Sequence, residues 1–232
     1  MAEQGGYGQF CPVAKASEIV TTRWTPLVLR ELLCGSSRFN EIRRGVPLMS
    51  PTLLSKRLKE LEEAGVIACS PVAGSKVKEY RLTDCGEELR PIILALGLWG
   101  KRWVESALES GDWNAGTLMW DIHRMLDPAA MPGGRNVIQV DFNDAPKEMR
   151  RWWLVVEEGD TDLCQSDPGY EVDLYLSSDV RTLARVWIGK DKLSAALDDG
   201  ALEAIGCNAL RKDMLAWMKL AVVAQAEVRM MQ

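Results

Sequence analysis

The sequence predicts two domains: a mainly α N-terminal half closed by a β-hairpin, and an α+β C-terminal half with an antiparallel sheet and helices. Three observations point there. Proline-opened, leucine-periodic segments fill residues 11–65, alternating apolar segments of strand length cluster between 135 and 178, and the small, polar ESGDWNAG (109–116) lies between the two regions. At 232 residues the chain is long enough for two domains of ordinary size. The division is placed at 1–110 and 111–232.

Charge divides the chain in the same place. Residues 1–110 carry 15 Lys and Arg against 13 Asp and Glu, and residues 111–232 carry 13 against 20, giving the overall −5. Within 38–81 alone, nine bases stand against five acids. The acidity belongs to the second half and leaves the first free to present a basic surface.

Taken in order, Cys11-Pro12 opens the first helix, with Pro12 at N1, where a missing N–H costs nothing, and Val13, Ala16, Ile19 and Val20 give it an apolar stripe. Thr25-Pro26 repeats the device, with Thr25 as the expected cap and Leu29, Leu32 and Leu33 following. RFNEIRRGV (38–46) makes a short third helix. SPTLLSKRLKELEEAG (50–65) is the fourth: Ser50 caps, Pro51 sits at N1, and Leu53, Leu54, Leu58 and Leu61 face inward. Thr52, Ser55, Lys56 and Lys59 are left on the opposite face, with Arg57 at its flank. The helix acids Glu60, Glu62 and Glu63 come late, so its first half offers hydroxyls and bases toward phosphates. VIACSPV (66–72) and KVKEYRL (76–82) then read as a hairpin. A helix, a turn, a basic helix and a basic hairpin make a winged helix-turn-helix. From Thr83 one long helix is expected, capped by that residue.

CPV (11–13), RWTPLVLRELL (23–33), RFNEIRR (38–44), SP-x-x-LSKRLKELEEAGVI (50–67) and EYRLTDCGEEL (79–89) resemble the HxlR-type bacterial transcription regulators over about 11–105. The resemblance implies a homodimer binding double-stranded DNA at an inverted-repeat operator, more often as a repressor than an activator. SPTLLSKRL becomes the recognition helix and AGSKVK the wing tip. The candidate DNA-binding residues are Arg38, Arg43, Arg44, Ser50, Thr52, Ser55, Lys56, Arg57, Lys59, Ser75, Lys76 and Lys78. Ile19 on the first helix and Ile92, Leu96, Trp99 and Trp103 on the long one form apolar stripes too extensive for so small a core, and are assigned to dimerisation. Cys11 matches a cysteine through which some such regulators sense electrophiles or oxidants; its helix N-terminal position favours thiolate.

In the second half a short helix (117–127) precedes strands at 135–143, 151–159 and 170–178. A further strand or turn at 161–169, helices at 179–189 and 191–200, a strand at 201–206 and a final helix at 208–228 complete it. WWLVVEEG, YEVDLYL, VWIGKD and DGALEAIG are similar to the sterol carrier protein type 2 family over roughly 112–224. That similarity implies an apolar small-molecule site between sheet and helices, for which Trp120, Trp152, Trp187, Met214 and Trp217 are the candidate lining.

Enzyme chemistry finds little support. The chain has a single histidine, His123, and no P-loop, GxGxxG, HExxH or GxSxG motif. The six cysteines include no CxxC, so neither a metal site nor a disulfide framework is expected, and no cofactor. No apolar run approaches the roughly 20 residues of a membrane span, and the first residues show no secretory pattern, so a cytoplasmic protein is expected. A lipid or small-molecule carrier that uses the winged helix only to dimerise is the alternative; Lys56, Arg57 and Lys59 on the fourth helix favour the regulator.

Overall fold

A computed structural model describes residues 6–72, 74–75, 77–104 and 108–225. The chain divides into two compact units, residues 1–96 and 97–232, the division falling inside a helix that runs to Trp103.

The first unit contains α1 (Pro12–Val20), α2 (Thr25–Leu33), α3 (Phe39–Gly45), α4 (Pro51–Glu63), β1 (Ile67–Pro71), β2 (Lys78–Leu82), α5 (Asp84–Glu87) and the start of α6 (Arg90–Trp103). Its core joins Val28, Leu29 and Leu32 of α2, Ile42 of α3, Leu54, Leu58 and Leu61 of α4, and Ile67 of β1. β1 and β2 pair antiparallel, from Ile67 opposite Leu82 to Pro71 opposite Lys78. The segment before α3 joins them: Tyr80 N–H donates to the Ser37 carbonyl at 2.7 Å, and Arg38 bridges Glu79. This third segment fastens the base of the wing to the helices.

Two of the expected helix boundaries are corrected. Thr25 is not the cap of α2; it lies inside the helix, buried, and Trp24 flanks it with φ 78°. The helix from Thr83 is broken in two. Thr83 caps α5, its Oγ1 accepting from Gly86 N–H at 3.2 Å, and the chain turns at Glu88–Leu89 before α6. Pro91 has no N–H to offer the carbonyl four residues back, so the ladder is interrupted where α6 begins.

The second unit has α7 (Ala115–Met125), β3 (Asn136–Phe142), β4 (Arg151–Glu157), β5 (Asp160–Cys164), β6 (Leu174–Ser178), α8 (Val180–Trp187), α9 (Leu193–Asp198), β7 (Leu202–Gly206), α10 (Asn208–Lys212) and α11 (Met214–Met218). The five strands form one sheet in the order β5-β4-β3-β6-β7. It is not the antiparallel sheet expected: β3 and β6 run parallel, with Ile138 opposite Leu174 and Val140 opposite Leu176. β5 and β6 run in the same direction, so residues 165–173 must cross the sheet instead of closing a hairpin. Val172 of that crossover packs against Val137, Trp153 and Val155, which explains why β4 is buried on both faces. Helices cover the other face, where Ile138, Val140, Phe142, Leu154, Leu174 and Leu176 meet α7 to α11.

The final helix is likewise interrupted. Trp217 Nε1–H donates to the Leu210 carbonyl at 2.8 Å, folding α11 back on α10, and Lys219 takes φ 42°. Lys219 Nζ then reaches Asp127 at 2.7 Å, while Ala221 N–H donates to the Trp187 carbonyl. Tertiary partners thus outcompete the ladder. Residues 226–228 of the expected helix lie outside the described residues.

Candidate nucleic-acid interface

The geometry of α4 begins with its cap. Ser50 Oγ accepts from Leu53 N–H at 3.3 Å and Pro51 follows at the first helical position. Leu54, Leu58 and Leu61 are at most 2% exposed, and burying each contributes about 1.5–3 kcal/mol. That burial fixes the helix's rotation. Thr52, Ser55, Lys56 and Lys59, at i, i+3, i+4 and i+7, consequently stand together in solvent.

The lysines are only loosely held. Lys56 Nζ is 3.8 Å from Glu60 and Lys59 Nζ 3.4 Å from Glu63, both pairs lying on the exposed helix surface. Such pairs contribute about 0.3–0.5 kcal/mol, little enough for a phosphate to displace them. Arg57 is different. Its Nε donates to the Arg23 carbonyl at 3.3 Å and its guanidinium is paired with Glu60, leaving the side chain 14% exposed. This base is turned into the domain, where it ties α4 to the turn between α1 and α2.

Ser50 and Ser75 also have local tasks. Ser75 Oγ accepts from Val77 N–H at 3.1 Å, and Gly74 takes φ 73°, closing the tip of the wing. Lys78 is exposed at the end of β2, whereas Lys76 lies outside the described residues. Arg81, absent from the sequence-based set, adds an exposed base one strand position out of phase with Lys78 and Tyr80. Strand alternation was the signal that could have found it. Burial pushes the Tyr80 phenol above its usual pKa, with Cys69 contributing; it remains a neutral packing residue under the wing.

The helix before α4 is set by a buried carboxylate. Glu31 is fully buried and accepts from Arg30 Nε and Nη2 at 2.9 and 2.7 Å, while Arg30 Nη2 also donates to the Gly45 carbonyl at 2.8 Å. A Cβ at Gly45 would lie 1.9 Å from Glu31 Oε2, so only glycine fits. Glu41 accepts from the N–H groups of Ser37 and Arg38 at 2.9 and 3.0 Å, starting α3. Arg38, Arg43 and Arg44 all reach the surface.

The dimerisation candidates are exposed. Neither α1 nor α6 contains a fully buried residue; Ile19, Ile92 and Leu96 are open, and Trp99 and Trp103 are 58% and 66% exposed. Cys11 stands half-buried at the N-cap of α1 with no side-chain capping bond. The ligand-pocket candidates fall elsewhere. Trp152, Trp187, Met214 and Trp217 are members of the second unit's main core, Trp120 is buried beside His123 outside that cluster, and a surface cleft of that unit is lined by other residues. His123 Nε2 lies 2.9 Å from the Thr161 carbonyl and its ring stacks on Trp120 at 5.1 Å. Among the described residues, no three His, Cys, Asp or Glu are grouped to hold a metal, and no helix is long and apolar enough to cross a membrane.

Residues 19–108 match the family model described as HxlR-like helix-turn-helix. The HTH-type transcriptional regulator YvaP of Bacillus subtilis (strain 168) is 40% identical over 99 residues, covering 42% of this chain and 92% of that protein. An HTH-type transcriptional regulator of Methanothermobacter thermautotrophicus is 35% identical over 112 residues, covering 47% of this chain and 85% of its own. Among solved structures, the redox regulator HypR in its reduced form is 30% identical, covering 42% of this chain and 100% of that one, with a TM-score of 0.39. The relatives are regulators and not enzymes, and the chain belongs to the HxlR-like helix-turn-helix family.

Proposed function

We propose that this protein is a DNA-binding transcriptional regulator that represses from an inverted-repeat operator as a homodimer. One observation carries the reading: the buried leucines of α4 leave Thr52, Ser55, Lys56 and Lys59 on a single solvent-facing strip. Lysines supply phosphate contacts without sequence information, and the hydroxyls lie beside them, where they can meet base edges. The names of the family's relatives support the same assignment.

Two-fold symmetry follows from the apolar stripe of α6. Ile92, Leu96, Trp99 and Trp103, spaced four, three and four residues apart, need cover, and a second copy presenting the same stripe supplies it. The second unit, with its resemblance to sterol carrier protein type 2, adds a small-molecule response: a ligand that favours one arrangement of the two DNA-reading units shifts operator affinity.

Sequencing the duplexes that the protein retains from a random library tests this function. Enrichment of a two-fold motif with half-sites about one helical turn apart is expected, with affinity falling steeply as salt rises. Retention without an enriched motif would remove the regulator reading.

A further inference from the structure

The second unit has a surface cleft of about 630 Å³, within the range of small-molecule sites. Its apolar floor comes from Ala145, Pro146, Met149 and Val180, and Trp113 stands at its side, half-buried. Met149 is held in place by the indole of Trp152, whose Nε1–H donates to its carbonyl at 2.7 Å.

The charged groups in this cleft are not equivalent. Asp179 caps α8, accepting from Thr182 N–H at 2.8 Å and Thr182 Oγ1–H at 2.6 Å. Asp144 accepts from Val180 N–H at 2.9 Å. Both carboxylates are thereby directed at the positive end of α8. Arg185 is engaged by Asp191 through two hydrogen bonds of 2.7 and 2.9 Å. Arg181 is held more loosely: it is exposed, lends Asp191 a through-space attraction secondary to that of Arg185, and its guanidinium stands 6.0 Å from the Trp113 ring centroid. A guanidinium beside an indole and an apolar floor offers a planar fork for a carboxylate and a surface for a flat ring.

We propose that this cleft binds a flat aromatic carboxylate, with Arg181 taking the carboxylate and Trp113 and Met149 the ring. The site deepens the small-molecule part of the proposed function and differs from the buried tryptophan set expected from the sequence. It requires no DNA, so its failure and that of the DNA-binding reading are separately visible.

Isothermal titration calorimetry of the full chain, without DNA, tests it with three probes of one shape: 1-naphthoate, 1-naphthalenemethanol and 1-naphthylmethylamine. The carboxylate is expected to bind at least tenfold more tightly than either other probe. Arg181→Gln should reduce it to the level of the alcohol, Arg181→Lys should retain part of the preference, and Trp113→Leu should weaken all three. Circular dichroism and melting temperature check that each variant is folded. Equal binding of the three probes, tighter binding of the amine, no binding of the carboxylate, or an Arg181→Gln protein that keeps the preference would overturn the assignment.

Discussion

Arg57 Nε donates to the backbone carbonyl of Arg23, 34 residues earlier, at 3.3 Å. Arg57 and Lys56 are therefore adjacent in sequence and opposite in setting: one fastens α4 to the turn between α1 and α2, and the other stands in solvent on the face proposed to meet DNA. Arg57→Ala should lower stability by about 1 kcal/mol, the scale of a partly exposed charged hydrogen bond. It should leave the salt dependence of DNA binding by the folded protein unchanged. Replacing Lys56 and Lys59 together by Ala should reverse this pattern, with a melting temperature close to wild type. The slope of log affinity against log salt should become shallower by about four, two lysine contacts being lost in each protomer of the dimer. Fluorescence anisotropy at several salt concentrations, beside thermal melts, separates the two; unchanged affinity in the double lysine variant would place a different helix in the groove.

Gly45 leaves no room for a side chain because the Glu31 carboxylate fills the space. Gly45→Ala must displace a fully buried carboxylate that is bonded to Arg30, and the cost should be about 3 kcal/mol. Urea unfolding measures it. A loss below about 0.5 kcal/mol would show that Glu31 finds another seat.

Acid should weaken the second unit through two carboxylates. Lys219 holds the Asp127 carboxyl below the usual aspartate range, chiefly by a direct hydrogen bond, and Arg185 does the same for Asp191. A group whose pKa is lower in the folded state contributes stability above its unfolded pKa and loses it as pH falls through the folded value. The contribution is thus complete at neutral pH and disappears progressively below about pH 4. Asp127→Asn and Asp191→Asn should each flatten that acid limb, read by urea midpoints against pH, and an unchanged limb in the double variant would deny the two pairs this role.

Charge on the α6 stripe should separate the copies. Ile92→Asp with Leu96→Asp is expected to give a folded monomer by sedimentation, with operator affinity reduced at least a hundredfold because half-sites are then bound singly. A dimer that survives both changes would place the interface elsewhere.

These predictions rest on features of unequal visibility in the sequence. Ser50-Pro51 and the leucines at 54, 58 and 61 are local signals of cap and period, and they define α4 without its surroundings. Arg57 has the same local chemistry as Lys56; only the carbonyl of Arg23, brought near by folding, turns it inward. Pro91 marked the break before α6 in plain sight, but the continuous apolar stripe around it concealed the interruption. The end of the chain was harder: the helical period runs through Asp213 and Lys219, and it is the bonds from Trp217 to Leu210 and from Lys219 to Asp127 that divide it. The parallel pairing of β3 with β6 leaves no local trace, since residues 165–173 have turn composition whether they close a hairpin or cross the sheet. Trp113 and Arg181 lie far apart in the chain and enter no motif, so only the fold shows them as neighbours.

The central claim is that α4 reads bases from a two-fold dimer, and repeating the duplex selection with Ser55→Ala tests it most directly. Ser55 is exposed between Thr52 and Lys59 and has no part in the leucine core. Loss of its hydroxyl should leave motif length and half-site spacing intact while relaxing base preference at two positions related by the two-fold axis. An identical motif from wild type and variant, or a change in only one half-site, would contradict the account.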